Sequence, residues 1–175
     1  MKAQKDPFSS QDLRAFAHNY YIYSIMILWE ASQSIVEVGE MLELDMTEID
    51  SAAVVGASRD HSKYGYKVLM DLKNGGYEAF AVNPACDDIE GMPCYPDLYS
   101  LPKKPDLLIT VVPPKVTEKA VIEAKEIGID KIWMQPGSES DEAISYAEEN
   151  GIGVMHHACI MIFRHEGVLE EGHRP

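Results

Sequence analysis

Five short segments of this 175-residue chain hold residues that can do chemistry, and each follows a run able to form a strand. They are Gly56-Ala57-Ser58-Arg59, Asn83-Pro84, Val112-Pro113-Pro114, Gln135-Pro136-Gly137 and His156-His157-Ala158-Cys159. Four of the five contain Gly or Pro, which hold a backbone in set shapes and let a ligand come close. The first is the richest. Between positions 56 and 75, Arg59, Lys63, Lys67 and Lys73 stand against Asp60 and Asp71, a positive island in a chain of net charge -14. His61 adds a donor. A glycine loop that opens a helix also offers free N–H groups and the positive end of the helix dipole. Together these suit a phosphate group. The alternative is that the lysines are ordinary solvated helix residues.

A dinucleotide fingerprint would read GxGxxG. Here Ser58 takes the second glycine position and Gly65 arrives late. Domains that bind NAD also place Asp or Glu at the end of the second strand, to hold the ribose hydroxyl. This chain has Asn83 there, followed by Pro84. Both departures argue against NAD without arguing against phosphate. His156, His157 and Cys159 invite a metal, but zinc takes three or four ligands. Cys86 and Cys94 are distant by sequence, and neither CxxC nor HExxH occurs. A nucleophilic Cys159 lacks an evident third group to orient its base. It could form a mixed disulfide with a ligand thiol, but a rim residue that packs is the plainer expectation. Trp133 and Met134 read as core. Glu139, Asp141, Glu148 and Glu149 read as a solvated helix face.

The elements that must position these turns follow a βα rhythm from residue 51. Strands are predicted at 52–55, 77–82, 94–95, 106–112, 131–134 and 152–155, mostly as short apolar runs closed by Gly or Pro. Helices are predicted at 66–73 and 116–127, with a small helical turn at 96–100. Another helix is capped by Ser138, carries Asp141 and Glu142 near its positive end, and runs to Asn150-Gly151. Strands alternating with helices imply a parallel sheet with right-handed crossovers. The expected fold is α/β: a Rossmann-like parallel sheet of five or six strands with helices on both faces, over residues 46–165. Every parallel strand then ends on one rim, where ligands bind.

Residues 1–45 read as a helical extension of unknown role, with no chemistry in them; a true start at Met41 or Met46 is the other reading. Residues 166–175 read as a polar tail. The balance of 15 basic against 29 acidic residues excludes general nucleic-acid binding, which needs a basic surface. The longest apolar run, 20–29, is too short to span a membrane. Three cysteines are too few and scattered for a disulfide scaffold and suit a reducing cytoplasm.

Seven segments together resemble a family. They are VVGASRD (54–60), SKYGYKV (62–68), AVNP (81–84), CYPDL (94–98), DLLITVVPP (106–114), WMQPGSES (133–140) and HHACIM (156–161). In order and spacing they are similar to the stand-alone CoA-binding domain proteins, relatives of the CoA-binding domain of the succinyl-CoA synthetase α subunit. The resemblance implies a fold that holds coenzyme A along the carboxyl rim. By position, Gly56, Ala57, Ser58, Arg59, Lys63, Tyr64 and Gly65 would meet the phosphates. Asn83 and Pro84 would lie beside the nucleotide, and Val112 and Pro113 would flank the ligand. Gln135, Pro136 and Gly137 would approach the pantetheine arm. The synthetase's second domain, with its phosphorylated histidine, does not fit in this length, so neither His156 nor His157 inherits that role. The expectation is a cytoplasmic binder of coenzyme A or an acyl-CoA without autonomous catalysis. The alternatives are an NAD- or NADP-dependent oxidoreductase and a ligand-responsive interaction module. No nucleic acid, membrane or metal is expected, and a homo-oligomer or protein partner is left open.

Overall fold

The structure is a computed structural model and describes residues 48–165. The helical extension expected over residues 1–45, with its apolar run, lies outside the described residues, as does the tail over 166–175. In chain order the elements are β1 (Ser51–Val55), α1 (Tyr64–Asn74), β2 (Glu78–Val82), β3 (Asp88–Ile89) and β4 (Met92–Tyr95). Then come β5 (Leu107–Thr110), α2 (Pro114–Glu126), β6 (Lys131–Met134), α3 (Asp141–Glu149), β7 (Gly153–Met155) and α4 (Ile160–His165).

Among the described residues the strands form one seven-stranded sheet, ordered β3-β4-β2-β1-β5-β6-β7. All neighbours are parallel except β3 with β4. This is the α/β, Rossmann-like architecture that the alternation predicts. The chain leaves β1 toward β2 on one side and continues from β5 to β6 and β7 on the other. Crossovers of one hand then put α1 on one face and α2 and α3 on the other, and α1 meets α4 while α2 meets α3. The direction reverses between β1 and β5, the crevice where such sheets take ligands.

The apolar strands are buried because helices cover both faces. Ala53, Leu108, Ile132 and Met134 pack with Val121, Ala124, Ala143 and Ala147 beneath α2 and α3. Val68, Leu69 and Leu72 of α1 are buried as well. A Val, Leu or Ile side chain withdrawn wholly from water contributes about 1.5–3 kcal/mol. Trp133 is fully buried, as expected; its indole N–H donates to Ala158 O at 2.8 Å and its ring meets Phe163 edge-on. At the opposite rim, Asp106 ties β5 to β1. One carboxylate oxygen accepts from the Ser51 hydroxyl at 2.7 Å and from the N–H groups of Ser51 and Asp50.

Three expectations need correction. The sheet has seven strands, because β3, which the sequence reading missed, pairs in a hairpin with β4, where a strand at 94–95 was expected. Its turn, Glu90-Gly91, has positive φ at both residues, the two-residue geometry that matches strand twist. Residues 96–100 form turns, in which Asp97 accepts from the N–H and hydroxyl of Ser100, instead of a helical turn. Ser140 caps α3, accepting from Ala143 N–H, whereas the Ser138 hydroxyl accepts from Val112 N–H at 2.9 Å. Beyond these, α4 spans Ile160–His165, just ahead of the tail expected over 166–175. Arg164 of α4 pairs with Asp71 of α1 and lies over the Tyr77 ring.

Candidate functional site

The first turn is built around two glycines. Gly56 has φ +92°, and a Cβ there would sit 2.4 Å from Val111 O and 2.6 Å from a Val112 methyl. Its N–H donates to Val82 O at 3.0 Å. A Cβ on Gly65 would lie 1.9 Å from Gly56 O. The first turn of α1 therefore rests directly on the loop that leaves β1. No side chain caps this helix and no acidic residue occupies its first turn, so its opening N–H groups remain suited to an anion. Ala57 is buried beneath the loop. The Ser58 hydroxyl accepts from Asp60 N–H, and Asp60 accepts from the hydroxyl and N–H of Ser62. The bonds from Ser62 hold the Asp60 carboxyl below its ordinary range.

The charge around this turn differs from the sequence picture. Arg59 donates to Asp88 O at 2.7 Å and to the Asp88 carboxylate at 3.2 Å, an exposed pair. His61 stands 3.1 Å from Glu90 and stacks on Tyr66, which also reaches Glu90. The β3–β4 hairpin thus lays two carboxylates on the basic loop. Lys67 sits over the Tyr64 ring, 5.3 Å from its centre. Lys73 belongs to the last turn of α1, at the far end from the rim, and drops out of the island. Arg59 and Lys63 are exposed on the loop.

Asn83 joins the first two rim turns. Its amide N–H donates to Ala57 O at 2.7 Å, its amide oxygen accepts from Ala85 N–H, and its backbone N–H donates to Tyr95 O. Both ends of the side chain are therefore used inside the protein.

Two pockets open on either side of Val112. The smaller, about 280 Å³, gathers Gly56, Asn83, Pro84 and Val112 against Asp97 and, from α2, Lys119 and Glu123. The larger, about 840 Å³, gathers Tyr64, Val112, Pro113, Gln135, Pro136 and Gly137. Cys159, Met161 and Ile162 of the α4 segment close its far side. Among the described residues no charged side chain lines it. Gln135 is 3% exposed, and its side-chain N–H₂ has no hydrogen-bond partner. An unpaired buried donor costs about 1–3 kcal/mol, so a ligand acceptor that met it would recover a real loss. Beside it, Glu139 accepts from the N–H groups of Gly137 and His157. Burial, followed by the neighbouring His157, holds His156 below its ordinary value.

Nine of the expected site residues thus line the two pockets. Arg59 and Lys63 stand outside them, Ala57 is buried, Ser58 braces the loop and Gly65 seats the helix on it. Sequence reasoning missed Asp97, Lys119, Glu123, Met161 and Ile162 as lining. The i, i+4 spacing of Lys119 and Glu123 puts them on one face of α2, a signal available in advance. Met161 and Ile162 carried no such signal. Among the described residues no cluster of His, Cys, Asp and Glu could hold a metal, and no helix is long and apolar enough to cross a membrane.

A family model described as a CoA binding domain matches residues 50–165. An ADP-forming acetate–CoA ligase of Archaeoglobus fulgidus is 32% identical over 118 residues, 62% of this chain and 17% of the ligase. The chain spans well under a third of the length of the curated relatives it matches. A solved conserved hypothetical protein of Pyrococcus furiosus is 43% identical, with a TM-score of 0.62, over 65% of this chain and 97% of that one. A hypothetical protein of Pyrococcus horikoshii is 31% identical, with a TM-score of 0.67, over 71% of this chain and 87% of that one.

Proposed function

The chain belongs to the CoA binding domain family, and from that premise we propose that residues 46–165 are a domain that holds coenzyme A or an acyl-CoA across the carboxyl rim, without catalysing a reaction alone. The nucleotide end lies toward the first turn, where Arg59, Lys63 and the uncapped start of α1 attract phosphate. The pantetheine arm passes Val112 and Pro113 into the larger pocket, and its thiol or thioester end faces Gln135, Pro136, Gly137 and Cys159.

The observation that carries this reading is the buried, unpartnered Gln135 amide beside a large pocket without charged lining. A pantetheine arm is uncharged and bears amide carbonyls, so it fills apolar space and offers the acceptor that Gln135 lacks. A nicotinamide cofactor finds less. The residue after β2 is Asn83 where NAD-binding domains carry Asp or Glu, and its side chain is already bonded to Ala57 and Ala85. The proposal includes a cytoplasmic setting, where thiols stay reduced.

Calorimetric titration of the full chain with coenzyme A, acetyl-CoA, NAD and NADP tests it. Binding of the first two, with NAD and NADP silent, is the expected result. Tight NAD binding without coenzyme A binding would sink the reading. Intact-mass analysis of natively purified protein would name any acyl group retained.

A further inference from the structure

Cys86 follows the Asn83 turn, and Cys94 lies in β4, eight positions later. Their Sγ atoms stand 2.6 Å apart, and both are half-buried. Both thiols also face one carbonyl, Asn83 O, at 4.0 Å from Cys86 and 3.6 Å from Cys94. The hairpin produces this approach. Asp88 opposes Pro93 and Ile89 opposes Met92, and Cys94 N–H donates to Asp87 O at 2.9 Å. The segment that carries Cys86 therefore lies directly alongside Cys94. Neither thiol lines either pocket, so the ligand reading gives them no task.

We propose that Cys86 and Cys94 are a redox site: a small disulfide, such as the disulfide of coenzyme A or of glutathione, oxidises them to an intrachain disulfide. Cys86, as thiolate, attacks one sulfur of R–S–S–R, forming a mixed disulfide and releasing one R–S⁻. Cys94 then gives up its proton and attacks the Cys86 sulfur, forming the intrachain bond and expelling the second R–S⁻. The two protons from the protein thiols neutralise the two released thiolates. Two electrons pass from the cysteine pair to the small disulfide, which leaves as two R–SH. The order has a physical cause. Burial, with the hydrogen bond to Cys86, pushes the Cys94 thiol up to about 12, so it does not open the exchange at neutral pH. Once the adduct forms on Cys86, the proximity of Cys94 makes the second step intramolecular and favoured.

The product would close a ring from Cys86 to Cys94 that contains Asp88 and Glu90. Those are the residues that hold Arg59 and His61. Oxidation would therefore pin the hairpin that neutralises the first turn. The chemistry itself needs no bound coenzyme A and stands whether or not the ligand reading holds.

The test is to treat the full chain with glutathione disulfide, and separately with coenzyme A disulfide, then alkylate with iodoacetamide. The expected product is lighter than the reduced chain by about 2 Da before alkylation, for the two hydrogens lost, and takes one label, on Cys159. Cleavage after Glu90 should leave two peptides joined through Cys86 and Cys94. Cys159→Ser should still lose the two hydrogens. Cys94→Ser should stop at a stable adduct on Cys86, and Cys86→Ser should form no adduct at Cys94. Three labels on the treated wild-type chain, or a lasting adduct on wild-type Cys86, would overturn the proposal. Because wild-type peptide mapping decides the matter, a variant that folds poorly does not leave it open.

Discussion

On one side of Val112 the rim is a lattice of exposed charges. Arg59 lies on Asp88, and His61 on Glu90. On the other side, Val111, Pro113, Pro114 and Met161 surround a pocket whose buried amide donor has no partner. The two regions invert what charge counting suggests. The charged groups already have partners, and exposed ion pairs are worth about 0–1 kcal/mol, so a phosphate arriving there largely exchanges one partner for another. The quiet side holds a buried donor without a partner, where the gain from a ligand is larger per contact. On the proposed function, charge at the first turn would select what approaches, and the apolar pocket would decide how well it stays.

The largest effect should come from removing what the two regions share. Gly65→Ala drives a methyl into Gly56 O and lifts α1 from the loop that serves both pockets. We expect a loss of about 3 kcal/mol in stability and of coenzyme A binding altogether, read by urea denaturation and calorimetry. Binding at wild-type affinity would show that the close seating of α1 is not needed.

Gln135→Met separates the two regions most sharply. Removing the unpartnered donor should stabilise the free protein by about 1 kcal/mol. It should weaken coenzyme A by roughly tenfold to hundredfold, since the ligand's carbonyl then lacks a donor. Thermal melting with and without ligand reads both. A variant that is less stable and binds as well as wild type would place the value of Gln135 in the fold instead of the ligand.

Charge changes at the first turn should act less strongly. Arg59→Ala should weaken coenzyme A by about tenfold, the loss of a charge-assisted bond. Asp88→Asn should strengthen it by about threefold, because Arg59 is released from an exposed pair. Both effects should shrink at high salt. If Asp88→Asn instead weakens binding, Asp88 positions Arg59 and does not compete for it.

The smallest effect checks the rim that takes no ligand. Burial pushes Asp106 up, but bonds from the Ser51 hydroxyl and the N–H groups of Ser51 and Asp50 outweigh it and hold its carboxyl below the ordinary 3.8. A folded value below the unfolded one stabilises the fold above about pH 3.8, and that share is lost as pH falls through the folded value. Urea midpoints for wild type and Asp106→Asn should therefore differ at pH 6 and converge below pH 3.8. Coenzyme A affinity of the folded variant should be unchanged at neutral pH.

Periodicity and punctuation determined a good deal by themselves. Apolar runs ended by Gly56, Asn83-Pro84, Pro113 and Pro136 are local signals, and they sufficed for the strand alternation, the rim and part of the pocket lining. The strand Lys131–Met134 matches its expected bounds, because each of its determinants lies within a few residues. What the sequence could not decide were matters of distance in space. The hairpin hid in a polar stretch with only two ladder pairs, too few for an alternating pattern. Its placement laid Asp88 and Glu90 on the basic loop and brought Cys86 beside Cys94, thiols weighed in the sequence only as distant from His156, His157 and Cys159. Gln135 read as one turn residue among several, and only packing revealed that its amide is buried and unpaired. Local pattern follows from steric limits on neighbouring residues. Charge pairing, thiol proximity and desolvation depend on which distant segments the sheet brings together, and they were decided only when it closed.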